Sequence, residues 1–103
     1  SENRDKWAEI RERLVNLGNK EQLSLIDSSI YCLSLEDFQS DDTDVLSNHY
    51  LTGDSRNRWF DKNLTLILTK NGQAAINFEH SWGDGVAVLR FFNEIFDDST
   101  KKP

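Results

Sequence analysis

Two runs of β-forming residues, Leu64 to Lys70 and Gln73 to Glu79, flank an Asn71-Gly72 pair, and this is the plainest structural signal along the chain. Asn-Gly favours a two-residue type I′ turn, because both residues tolerate positive φ and the turn's twist matches that of the strands. Such a turn pairs Lys70 with Gln73, and the same register places Ile67 opposite Ile76 and Thr65 opposite Phe78. Ala74, Ile76, Phe78 and His80 then share one face, while Leu64, Leu66 and Leu68 line the other with Ala75. With both faces apolar, the pattern predicts a hairpin in the middle of a sheet covered on two sides.

Upstream, Trp7, Ile10, Leu14 and Leu17 recur at helical spacing among Arg4, Glu9, Arg11, Glu12 and Arg13, which predicts an amphipathic surface helix stopped by Gly18. The segment Ser28 to Ser34, with Ile30, Tyr31 and Leu33, predicts a buried strand internal to the sheet. From Leu35 to Asp54 the chain turns acidic and predicts short helices and loop. Glu36, Asp37, Asp41, Asp42 and Asp44 read as a solvated face, since the glycine and terminal glutamate of an EF-hand loop are missing. Beyond Gly85, Val86 to Phe96 carries a wide apolar stripe and predicts a buried helix, with Asp84 as its N-cap. The polar run Asp97 to Pro103 reads as a linker. The predicted class is α/β, an α+β fragment with a mixed sheet and flanking helices.

Charge and composition narrow the partners. The 103 residues carry a net charge of −6, with basic residues scattered rather than striped, so nucleic acid is not an expected partner. No apolar run approaches bilayer length, and the charged start Ser1 to Lys6 lacks the pattern of a signal peptide. The single Cys32 has no internal disulfide partner and is expected to pack as a small hydrophobe. The absence of Met, together with the polar tail, predicts that residues 1–103 are one fragment of a longer chain.

Candidate chemistry concentrates in Phe78-Glu79-His80-Ser81-Trp82-Gly83-Asp84-Gly85. A histidine at the end of an apolar strand has a fixed backbone and an open side, as a general base requires. The competing reading is a turn histidine hydrogen-bonded to Asp84, with Asp84 only capping the next helix. Other residues offer less. His49 has no companion for a metal site, and Gly83-Asp84-Gly85 lacks the third glycine and the lysine of a phosphate loop. Asn63-Leu64-Thr65 is formally a glycosylation sequon, but it enters an apolar strand.

The run His80-Ser81-Trp82-Gly83-Asp84-Gly85 resembles the His-x-x-x-Asp-Gly signature of coenzyme A-dependent acyltransferases, the group that includes chloramphenicol acetyltransferase. Asn57-Arg58-Trp59-Phe60-Asp61-Lys62, followed by a hairpin and Glu79-His80, is similar to the carnitine/choline acyltransferase family in particular. The likeness covers nearly the whole chain, including Ile26-Asp27-Ser28, Cys32-Leu33 and Val88 to Glu94, and is thinnest from Gln39 to Asn48.

The resemblance implies part of a chloramphenicol acetyltransferase-like domain that moves long-chain, palmitoyl-type acyl groups between coenzyme A and carnitine. It implies His80 as the catalytic base and Asp84 in an orienting or structural role, with Arg58, Trp59, Asp61 and Lys62 structural. Trp82 and Gly83 either shape the floor beside the base or simply pack there. Coenzyme A and acyl-CoA enter as substrates, with no tightly bound cofactor and no metal. Carnitine, long-chain acyl-CoA and the remainder of the acyltransferase chain are the implied partners. Those remaining parts supply the oxyanion donors and most substrate contacts, so the fragment by itself is expected to be inactive. The implied location is the mitochondrion, on the matrix side of the inner membrane, with peripheral membrane association. The alternative from a different class is a non-enzymatic acidic α+β module that binds a protein partner.

Overall fold

The computed structural model describes residues 2–102 and orders them as a mixed α/β unit with four α-helices and a three-stranded sheet. Helix α1 spans Arg4–Leu14; Asn3 caps it by accepting from the Asp5 amide. Trp7 lies under the guanidinium groups of Arg4 and Arg11, which cover its ring with charge rather than with core. The helical path continues as a wide turn over Val15–Asn19 until Gly18, at φ +94°, breaks it as the sequence predicts. Helix α2, Lys20–Ser28, follows and was not anticipated, because Leu23, Leu25 and Ile26 cluster too tightly to mark a helical period. Arg11 pairs with Asp27 and ties α1 to α2.

Strand β1 spans Cys32–Glu36, four residues later than predicted at its start. The reason is that α2 uses Ser28, and Lys62 fixes the connection by donating to the carbonyls of Asp27 and Ser29 at 2.9 and 2.8 Å. Ile30, Tyr31 and Leu33, expected inside, stand 79%, 54% and 53% exposed. Nor is β1 internal to the sheet: it pairs only with β2, Leu64–Thr69, which runs parallel to it and occupies the centre. Strand β3, Ala74–Phe78, is antiparallel to β2 and forms the other edge.

The hairpin is offset by one residue from the expected register. Leu66 lies opposite Ile76 and Leu64 opposite Phe78, so the three β2 leucines share a face with Ala74, Ile76 and Phe78. The connection is a three-residue loop, Lys70 to Gly72, in which only Gly72 is left-handed, at φ +80°. Thr69 decides this. Its amide donates to the Gln73 carbonyl, its hydroxyl accepts from the Gln73 amide, and its carbonyl closes a turn with the Gly72 amide. A type I turn ending in a left-handed glycine is the common alternative to the I′ pair.

The core is small: Ile67 and Val88 are fully enclosed, with Leu23 nearly so. Ile67 lies opposite Ala75 and beside Ser34, on the face that also carries Thr65 and Thr69. Helix α4, Gly85–Lys101, borders an apolar cleft of about 380 Å³ with Phe91, Phe92 and Ile95 against Leu64, Leu66 and Ile76. It is not the buried helix expected, since Val86, Leu89, Phe91, Ile95 and Phe96 are all exposed. It also extends through most of the expected linker. Ser99 and Thr100 donate to the Phe96 carbonyl, and Lys102 pairs with Asp98 across one turn. The radius of gyration, 16.0 Å, exceeds the ~13 Å of a compact domain this long.

The loop geometry makes one measurement decisive. Gly72→Ala meets no atom within 4 Å, so its whole cost is backbone strain, on the order of 1 to 2 kcal/mol. Chemical denaturation that shows no loss for Gly72→Ala would contradict the left-handed conformation of Gly72.

Candidate active site

His80 sits two residues beyond the end of β3, exposed, with its ring 4.8 Å from that of Phe78. The segment around it is fixed by backbone rather than by the histidine itself. The Glu79 amide donates to the Asn63 carbonyl at 3.0 Å, and Trp82 Nε1 donates to the same carbonyl at 2.8 Å. Trp82 also meets Phe78 edge-on and remains partly exposed, so the tryptophan acts as a packed brace beside the turn. Glu79 accepts from the hydroxyl and amide of Ser81, and these bonds, with His80 nearby, hold its carboxyl below the usual range.

Asp84 precedes α4 in extended conformation and accepts from the Gly85 amide at 2.7 Å, while its carbonyl receives the amides of Ala87 and Val88. It caps the helix, as its position suggests. Among the described residues His80 and Asp84 share no hydrogen bond, and Asp84 enters no ion pair. The histidine opens instead on a cleft of about 400 Å³, walled by Ser47, Tyr50 and Leu51 of helix α3, Thr43–Leu51, and by Ile76, Asn77 and Phe78 of β3.

A second polar cluster underlies α3, and no local pattern along the chain marks it. Glu36 read as part of a solvated acidic face, yet only 10% of its side chain is exposed, and it is paired with Arg58, whose side chain is 3% exposed. Asn57 Nδ2 donates to Glu36 at 3.0 Å and to Ser34 at 2.9 Å, and the Ser34 hydroxyl donates to Glu36 at 2.6 Å. Burial pushes the Glu36 carboxyl upward, but the bonds from Ser34 and Arg58, the Arg58 charge and the bond from Asn57 together outweigh it. The net position is below the usual carboxylate range. His49 completes the group: its ring stacks on Phe38 at 3.8 Å, with Nε2 3.6 Å from Glu36. His49 Nε2 and Arg58 Nε are both buried without a partner among the described residues. No three His, Cys, Asp or Glu side chains gather in a metal-holding group among those residues. Cys32 is a free thiol, half-buried on β1.

Arg58 reaches further than Glu36. Its guanidinium donates to the carbonyls of Asn57 and His49, both at 2.8 Å. Its neighbour in sequence terms, Lys62, holds the end of α2. The structural role expected of Arg58 and Lys62 therefore has a concrete form: two cations placed on carbonyls of helix termini.

The sequence profile of the choline/carnitine O-acyltransferases matches residues 1–103. The chain belongs to this family. It is 58% identical over its whole length to mitochondrial carnitine O-palmitoyltransferase 2 of Homo sapiens, and 59% identical to that of Macaca fascicularis. It is 40% identical over 93 residues to the muscle isoform of carnitine O-palmitoyltransferase 1 of Rattus norvegicus, a match that takes in 82% of the chain. The chain spans 16% of the length of the human and macaque proteins and 12% of the rat one. Family membership favours the acyltransferase reading over a non-enzymatic interaction module.

The buried pair gives two expectations. Arg58→Ala strands the Glu36 charge and should destabilise by about 3–5 kcal/mol, while Arg58→Lys, which lacks the planar fork, should recover only part of it. Thermal denaturation of the two variants beside wild type measures both. The second expectation concerns pH. Because the folded Glu36 pKa lies below the unfolded one, its stabilisation is complete above the unfolded value, about 4.3, and is lost as pH falls through the folded value. Between pH 6 and pH 3, wild type should therefore lose more stability than Glu36→Gln; equal losses would remove Glu36 from the acid transition.

Proposed function

We propose that this chain is the histidine-bearing part of a carnitine O-palmitoyltransferase, a catalytic-region fragment in which His80 is the general base. The observation that carries the reading is the placement of His80. It is an exposed residue of a signature turn held by Asn63, Phe78 and Trp82, its ring lining a cleft, in a chain of this family.

The chemistry follows from an imidazole so placed. In the direction that makes acyl-CoA, His80 takes the thiol proton of coenzyme A, and the sulfur attacks the ester carbonyl of acylcarnitine. The tetrahedral oxyanion collapses, the carbon–oxygen bond to carnitine breaks, and the imidazolium returns its proton to the carnitine oxygen. In reverse, His80 takes the carnitine hydroxyl proton, and that oxygen attacks the thioester. No covalent acyl-enzyme is needed, since the substrate sulfur or oxygen that His80 deprotonates attacks the acyl carbon directly. Coenzyme A and the acyl groups come and go as substrates, with no tightly held cofactor. Asp84 acts by capping α4 and fixing the turn that carries His80, since its side chain bonds the Gly85 amide and shares no hydrogen bond with the ring among the described residues. The relatives named above as mitochondrial support a mitochondrial location, and we place the full-length protein on the matrix side of the inner membrane as a peripheral enzyme.

In the full-length protein His80→Ala should lower turnover about 10²- to 10⁴-fold with the fold retained. Near-normal rates in a folded His80→Ala enzyme would sink the assignment. Asp84→Ala should cost about 0.5–2 kcal/mol in stability, and Asp84→Asn, which can still accept from the Gly85 amide, much less. Identical melting curves for wild type and Asp84→Ala would remove the capping role. Residues 1–103 on their own, given palmitoyl-CoA and carnitine, should show no turnover, because approximation of two substrates and oxyanion stabilisation exceed what a lone base provides. Turnover that disappears with His80→Ala would make the fragment a self-sufficient catalyst.

A further inference from the structure

The last turn of α3 ends with every orphan carbonyl occupied, and one of the donors, Asn77, also lines the His80 cleft. An α-helix leaves its final four carbonyls without helical partners. Here the Asn48 carbonyl accepts from the amides of Thr52 and Gly53, both at 3.1 Å, and the His49 carbonyl from Arg58 at 2.8 Å. The Tyr50 and Leu51 carbonyls accept from a single side chain, Asn77 Nδ2, at 3.0 and 2.8 Å. Asn77 lies on the edge strand β3, three residues before His80, and Tyr50 and Leu51 form the facing wall of the cleft. One amide thus spans the cleft floor and sets the distance between the strand that presents His80 and the helix opposite it. No other hydrogen bond between side chain and backbone joins α3 to β3 among the described residues. The other polar tie is Tyr50 Oη to Gln73 Oε1, a long 3.4 Å contact at the far end of the hairpin.

We infer that Asn77 is a positioning residue for acyl transfer: by clamping the C-terminus of α3 to β3 it fixes the width of the cleft onto which His80 opens, and so the seat of one of the two substrates. The inference rests on the assignment of His80 as base and adds to it a residue that touches neither the imidazole nor the reacting atoms. Its effect has a direction. A wall that binds a substrate equally in ground and transition states governs KM, and its displacement raises KM while leaving kcat. Loss of folded protein does the opposite, lowering apparent kcat through the active fraction without moving either KM.

The test is two-substrate steady-state kinetics on the full-length enzyme with palmitoyl-CoA and carnitine, comparing wild type, Asn77→Ala and His80→Ala. For Asn77→Ala the expected result is a rise of about tenfold or more in KM for one substrate, with the other KM and kcat within about twofold of wild type. If Asn77→Ala does not accumulate as folded protein, Asn77→Thr suits the strand and carries no charge, but its single short hydroxyl cannot hold both carbonyls, and the same split in KM is expected. Unchanged KM values for both substrates in the folded variant, whether or not kcat falls, would overturn the inference. His80→Ala separates the two readings. Lost turnover there beside unchanged KM values in the Asn77 variant defeats this inference alone, whereas retained turnover in His80→Ala defeats the base assignment and this inference with it.

Discussion

The Arg58 guanidinium, almost wholly removed from water, is the constraint from which the arrangement around His80 follows. A cation this deeply buried costs several kcal/mol to desolvate, and the cost is met only if its donors are matched in good geometry. Three elements supply the match: Glu36 at the end of β1, the Asn57 carbonyl in the connecting loop, and the His49 carbonyl in the last turn of α3. Glu36 lies 22 and His49 nine residues from Arg58, so one side chain ties strand and helix to the loop that carries it. The unmet Arg58 Nε and the unpartnered His49 Nε2 beside it are the residual cost of that arrangement. Once α3 is held there, its C-terminal carbonyls come within reach of Asn77, and the cleft beside His80 acquires its second wall.

What was legible in the sequence was what local chemistry decides. The strand-end histidine, the Asp84 cap, the break at Gly18 and the existence of a hairpin around Asn71-Gly72 each depend on a few contiguous residues. The register of that hairpin was not legible, because Asn-Gly serves a two-residue I′ turn and a three-residue loop with a left-handed glycine equally well. The choice falls to the Thr69 side chain and its bonds to Gln73. Strand β1 was displaced for a similar reason. Apolar composition marks Ile30 and Tyr31 as strand, but Lys62, more than thirty residues away, pins the backbone at Asp27 and Ser29 and delays pairing to Cys32. Glu36 was the costliest misreading. In a stretch of five acids nothing distinguishes the one that will be buried until the arginine that meets it is placed, 22 residues on.

The apolar surface carries the same lesson from the other side. Helix α4 has the sequence of a core element and the exposure of a surface one: Val86, Leu89, Phe91, Ile95 and Phe96 face outward, as do Leu33 and Leu35 on β1. Periodicity reports that a residue is fit for burial and says nothing about what buries it. With so few residues enclosed, hydrophobic burial alone leaves this unit marginal. The polar ties of Arg58, Lys62, Asn77 and Arg11 therefore carry an unusual share of its shape.

That division of labour bears on the chemistry. A general base gains little from being merely reachable; its value depends on how closely the reacting proton is held to it. On one side of His80 the geometry is strongly determined, by the Phe78 ring, the Trp82 brace and the two bonds to the Asn63 carbonyl. On the other, the cleft is open, and the wall it does have is positioned by one side-chain amide and a buried arginine rather than by packed core. Polar ties of this kind fix distance with directional bonds, where a sparse apolar contact would let the helix slide. For the proposed acyl transfer, whose transition state needs a proton, an attacking atom and a carbonyl in line, such directional control of the cleft is where these groups would act on rate, beyond the few kcal/mol they contribute to stability.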